Sequence, residues 1–172
     1  MTGTRRNRNG ESGAALVETA LFIPVLLLLL VGMIELAKVI NLYFSLQKTM
    51  TSIAKYAGTS KGANFCDDAD AVITQAKNVV LTGSPDGEGT PLINGLTAAQ
   101  IQVRLERLNA TSGELNECTC SIDGCDTAAG ALGPDFIVVS LPDGFQVRPV
   151  FPLLQVDPFL LRPRVRMPYR GF

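Results

Sequence analysis

The sequence predicts an α+β chain in which one long N-terminal helix, transmembrane and then amphipathic, packs on a small antiparallel β-sheet domain. Three observations carry this. The aliphatic run from Phe22 to Leu30 lies in a stretch, Thr19 to Ile34, that contains no charged residue. A second apolar pattern with helical spacing follows it, with no Gly or Pro between Met33 and Ala57. Beyond residue 100 the apolar period shortens to two, the period of a half-buried strand.

Composition narrows the function before any element is placed. The chain has 172 residues, 15 Lys+Arg against 16 Asp+Glu, no His, no Trp and four Cys. The length suits one domain, and the near-neutral balance supplies no basic field for a phosphate backbone, so no nucleic-acid partner is expected. Without His there is no Ser-His-Asp triad, no Cys-His pair and no imidazole metal ligand. The carboxylates Asp67, Asp68, Asp70, Asp123 and Asp126 stand in no catalytic spacing. The Asp67-Asp68-x-Asp70 cluster lacks the Gly and distal Glu of an EF-hand, and acids that open a helix explain it better. No enzyme activity, small-molecule substrate, cofactor or metal is expected.

The apolar segment from Ala14 to Ile34 holds one carboxylate, Glu18. As a helix it is ~31 Å long at ~1.5 Å per residue, the thickness of one bilayer core. Arg5, Arg6 and Arg8 precede it, and the positive-inside rule keeps that flank cytoplasmic and the remainder outside. A cleaved secretory signal has the same basic flank and apolar run. Its small-residue cleavage site is missing from Val31 to Ala37, and a lipoprotein box would need a Cys where the first is Cys66.

The start of the run, Gly13-Ala14-Ala15-Leu16-Val17-Glu18, closes a basic leader with Gly, follows it with a small residue and places Glu five positions into the apolar segment. This resembles the prepilin-peptidase site of type IV pilins and pseudopilins. The longer pattern Val17-Glu18, Pro24, Gly32 and Glu35 resembles the TadE-like minor pseudopilins of the tight-adherence (Flp) type IVc pilus system, with Thr19 where that family usually has an aromatic residue. The resemblance implies a pilin-like fold and a cut between Gly13 and Ala14 by the prepilin peptidase. It also implies a bacterial inner-membrane protein with its C-terminal domain in the periplasm, and partners among other pilin or pseudopilin subunits and the pilus assembly machinery, with a place in the fibre or at its base. For Glu18 it implies an assembly-register role, because a carboxylate in a membrane is costly unless paired, and a neighbouring subunit's new N-terminus is a natural partner. The plain alternative is that Glu18 sits among the headgroups. Pro24 removes one helical hydrogen bond and is expected to kink the helix.

The helix is expected to continue past the membrane. Leu36, Val39, Tyr43, Leu46, Met50, Ile53 and Ala57 recur at steps of three and four, an a/d seam that Gly58 ends. Two surfaces suit this helix interface, the chain's own C-terminal domain or a second protein's helix. The resulting division is a cytoplasmic leader at 1–13, a transmembrane helix at 14–34, its amphipathic extension at 35–57 and an extracytoplasmic α+β domain at 58–172.

In that domain Asp67-Asp68 reads as a helix start, with Val72, Ile73, Ala76, Val79 and Val80 as its apolar face and Gly83 as its end. The stretch from Gly83 to Pro91 reads as loop. Ile101, Val103 and Leu105 alternate with polar residues as one strand, Phe136 to Leu141 forms a more buried one, and Leu161 to Met167 forms a third. Pro163 demotes the third to a sheet edge. There Arg162, Arg164 and Arg166 form a basic row, either a docking edge for an acidic partner strand or charges that blunt an exposed edge. The ending, a Pro-broken loop from Pro149 to Leu154 and then Arg166-Met167, also resembles TadE-like chains.

Cys66, Cys118, Cys120 and Cys125 all fall outside the span, where disulfides persist. Cys118 and Cys120 are too close to bridge each other comfortably. Cys125 is therefore expected to pair with one of them and Cys66 with the other, the latter bridge being worth ~4 kcal/mol by loop closure. The expected function is that of a minor pseudopilin acting in assembly or initiation of a Flp/Tad pilus through helix-helix and domain docking. The alternative is a signal-anchored extracytoplasmic accessory protein, enzyme or receptor unrelated to pili.

Overall fold

The computed structural model describes residues 8–60, 63–67, 69–126, 130–149 and 157–169. Arg5, Arg6, Asp68 and the loop residues 150–154, named above, lie outside the described residues, as does the side chain of Arg8.

Helix α1 runs unbroken from Arg8 to Thr59. It begins before Ala14 and passes through Gly58, so the expected stop at Gly58 is corrected by two residues. Gly58 is a packing residue instead. A Cβ there would meet Ile137 Cδ1 at 3.1 Å, so its bare backbone lets the sheet approach the helix closely. The helix ends on hydroxyls: Thr59 Oγ1 donates to the Lys55 and Tyr56 carbonyls and Ser60 Oγ donates to Tyr56. These satisfy acceptors that the last turn leaves open.

The chain then enters helix α2, Ala71–Thr82. Its N-cap is Asp70, whose carboxylate accepts from the Val72 and Ile73 amides at 2.9 and 3.1 Å, a start three residues later than Asp67-Asp68 suggested. Asp67 instead turns the approach by accepting from Ala69 N. The buried face is Ile73, Ala76, Lys77 and Leu81, rotated from the expected one, with Val72, Val79 and Val80 only half-buried. Gly83 closes the helix at φ 80, returning its N–H to the Val79 carbonyl.

After a 3-10 turn, Ala98–Gln100, the described residues form six strands. They are β1 (Gln102–Leu108), β2 (Leu115–Glu117), β3 (Phe136–Ser140), β4 (Phe145–Val147), β5 (Phe159–Leu161) and β6 (Arg164–Pro168). Four form an antiparallel sheet in the order β2-β1-β3-β6, and β4 pairs with β5 in a separate two-stranded ribbon. The expected single strand from Leu161 to Met167 is therefore two. Pro163 has no N–H to give a ladder; β5 leaves with β4 before it and β6 joins β3 after it, with Val139 opposite Val165. Pro163 itself is fully buried.

The core lies between this sheet and the last turns of α1. α1 lies over β3 and β6, so that Leu46, Met50, Ile53 and Ala54 share one buried cluster with Ile137 and Val139 and with half-buried Val165 and Met167; Val103 and Leu105 of β1 and Ile73 and Leu81 of α2 belong to the same cluster. Two disulfides resolve the open pairing: Cys66 bonds Cys120, and Cys118 bonds Cys125. The first ties the segment that leaves α1 to the loop after β2.

Candidate functional site

Two surfaces carry the residues singled out above: the exposed length of α1 and the outer face of the sheet. On α1, Gly13 and Ala14 are exposed inside the helix, with open space where a Gly13 Cβ would point. Glu18 is exposed one turn further on, and beside it Thr19 Oγ1 donates back to Ala15 O at 2.8 Å. Pro24 lies within the unbroken helix. An 18-residue window of this helix reaches a mean hydropathy of 2.6, and its side chains are almost wholly uncovered by the protein. By length and composition that is a helix able to cross a membrane.

Past the span the helix becomes one-sided. Leu46, Met50, Ile53 and Ala57 are buried in the chain's own core, Val39 and Tyr43 are half-buried, and Leu36 is exposed. Leu36 thus drops out of the expected seam, and the buried position in that turn is Glu35. The reason is geometric. A straight helix at 3.6 residues per turn drifts ~20° per heptad from a 3.5 repeat, so a seam extrapolated back from Leu46 slips to the neighbouring residue. Glu35 is ion-paired with Lys38 one turn on, at 2.6 Å.

The arginine row divides in the same way. Arg162 is exposed between β5 and β6, whereas Arg164 and Arg166 reach back across β3 to one carboxylate, Glu106 of β1. The Arg166 Nε to Glu106 Oε2 distance is 2.6 Å, and the Arg166 guanidinium also lies over the Phe136 ring, 5.9 Å from its centroid. The Glu106 side chain is only 5% exposed while the two arginines remain 59% and 42% exposed. Alternation along β1 made Glu106 a solvent-facing residue. It does lie on the outer face, but its two arginines cover it.

The clamp also resolves a local conflict, since Glu106 sits directly opposite Glu117 in the β1–β2 register, where like charges repel. Glu117 turns instead to Arg104, at 3.5 Å, an exposed pair worth little by itself. Sequence reasoning missed Glu106. The signal was available: it is the acid of β1 that shares a face with the arginines once β3 is placed between the two strands. β6 forms one edge of the four-stranded sheet, so the row lies at an edge, with two of its three members committed inward.

All four cysteines are consumed in disulfides, and among the described residues no group of three His, Cys, Asp or Glu side chains is placed to hold a metal. The surfaces left open among the described residues are a bare apolar helix, a strand edge and a charged sheet face.

Compared with known proteins, residues 13–54 match the family model TadE, described as TadE-like protein. No curated protein and no solved structure matches the chain. The matched segment holds the exposed span, Glu18, Glu35 and the first buried turns of α1, and together with the apolar helix it fits a protein associated with the Tad pilus. The chain is thus similar to TadE-like proteins over residues 13–54, its N-terminal helix, and the match does not extend to the sheet domain.

Proposed function

We propose that this protein is a minor pseudopilin of a Tad-type pilus, anchored in the bacterial inner membrane by α1 with its sheet domain outside, and that it works by association and not by chemistry. The observation that carries the reading is the coincidence of the family match with a helix whose apolar side chains are almost wholly uncovered among the described residues. A bare helix of this kind pairs laterally with other pilin-like helices, and the Glu18 carboxylate meets the α-amino group of a neighbouring subunit, which fixes axial register. Prepilin peptidase generates such an amino group by cutting between Gly13 and Ala14. The sheet domain, held to the helix end by its core and by the Cys66–Cys120 bridge, docks on the growing assembly.

Intact mass and N-terminal sequencing from native membranes, with and without the prepilin peptidase, test this. A peptidase-dependent start at Ala14 with α1 retained is expected, and Glu18→Ala is expected to be inserted and cleaved yet to lose co-purification with pilus components. An uncut chain that co-purifies normally with those components would remove the processing step, and an uncut chain that does not would remove the pseudopilin reading.

A further inference from the structure

The apolar surface of α1 does not stop where the uncharged stretch stops. After Ile34 the sequence turns polar with Glu35 and Lys38, yet Leu36, Ile40 and Phe44 are 60%, 45% and 61% exposed. Steps of four keep them on one stripe, continuous with exposed Met33 inside the span. At ~100° per residue, Ile40 and Phe44 lie ~120° and ~160° around the helix from Leu46, on the side away from the core.

The charges of these turns leave the stripe clear. Glu35 is buried and Lys38 is paired to it, and from Val39 to Gln47 there is no charged residue until exposed Lys48. Length agrees as well. From Leu16 to Phe44 the helix measures ~42 Å, the thickness of a bilayer with its headgroup regions, whereas Ala14 to Ile34 spans only the hydrocarbon core. Tyr43 and Phe44, ring to ring at 6.3 Å, stand at the far end, where aromatic side chains settle at the membrane surface.

We propose that the stripe Leu36, Ile40 and Phe44 is covered by the bilayer itself. The membrane reaches Phe44 on this face of α1 and ends near Ile34 on the face that carries Glu35, so the folded domain sits on the lipid surface and does not stand away from it. Lipid is the occupant because the stripe is continuous with the membrane span, carries no charge and matches the bilayer in length. The inference rests on the membrane anchoring in the reading above and is independent of any role in a pilus.

The chain contains no Trp, so single substitutions give unmixed fluorescence reports. Leu28→Trp, Leu36→Trp, Ile40→Trp, Phe44→Trp and Tyr56→Trp are made in the full chain, checked for both disulfides, and reconstituted in phosphatidylcholine vesicles containing lipids brominated at shallow or deep acyl positions. Leu28→Trp is expected to lose more than half its emission with deep bromines. Leu36→Trp, Ile40→Trp and Phe44→Trp are expected to lose more than half theirs with shallow ones, and Tyr56→Trp to change little. If Ile40→Trp and Phe44→Trp behave like Tyr56→Trp while Leu28→Trp is quenched, the anchoring stands and the proposal falls. If Leu28→Trp is also unquenched, both fall. Quenching at the stripe that emerges only when protein is diluted in lipid would assign the stripe to a second copy of the chain and overturn the proposal as well.

Discussion

Between Leu16 and Ile34 the large apolar side chains of α1 point in every direction and are bare, whereas Leu46, Met50 and Ile53, a few turns further along the same helix, are buried completely. The two regions are equally helical, and their difference lies in what surrounds them. An all-round apolar surface is stable only where lipid or other protein surrounds it, and a one-sided surface is stable only where something apolar lies on that side. One continuous helix therefore carries two different packing surfaces. The domain and the span are joined by one rod but stabilised by separate means.

Substitutions on either side of Ile34 test that separation. The largest effect is expected from removing the Cys66–Cys120 bridge as a double alanine variant, which releases a long loop and costs the domain about 4 kcal/mol in the chain-entropy model. Hydrogen exchange at the β3 amides would report the loss, and exchange in the span would stay unchanged. Next, Ile53→Ala empties a fully buried site between helix and sheet, with an expected cost of about 3 kcal/mol. The matched change Leu27→Ala, in the bare region, is expected to leave denaturant unfolding of the domain where it was. Equal effects from the two would mean that the span also packs on protein. The smallest effect is expected at Asp70, where Asp70→Ala removes the two cap bonds at the start of α2 and costs about 1 kcal/mol in the same unfolding measurement.

The parts of the molecule that could be read from sequence are those in which a residue's role depends on near neighbours. The apolar run, the helical spacing from Leu46 to Ala57, the alternation in β1 and the continuous apolar run of β3 are of this kind. The cysteine arithmetic belongs with them, because closeness in sequence excluded a Cys118–Cys120 bond, although choosing Cys120 for Cys66 required the fold. The errors arise where the deciding partner is distant. Gly58 has the look of a helix terminator and is a helical residue made small for Ile137. Leu36 fits a 3.5 repeat, but the straight helix turns Glu35 inward instead. Glu106 alternates as a surface residue and is covered by arginines from β6, nearly sixty positions away.

The arginine row shows the same division at the candidate site. Its alternation with Val165 and Met167 placed it on one face of an edge strand, and the structure does place β6 at the sheet edge. The pattern alone could not say that Arg164 and Arg166 are already bound within the molecule. A docking role for this edge therefore has to involve Arg162, or displace the Glu106 clamp.

Local pattern alone set the material of each part: an apolar helix, with Glu18 as its one charge from Ala14 to Ile34, long enough to cross a bilayer, an amphipathic continuation, and a cysteine-bearing domain with a strand of period two. Those properties are sums over local side chains, and the hydrophobic effect reads them without knowing the fold. Only the tertiary structure decided which side of the helix met the sheet, where Pro163 divided a strand between two sheets, which cysteines bonded and which arginines found Glu106. Each of these depends on bringing distant residues to within bonding or packing distance, and short-range pattern carries no record of that.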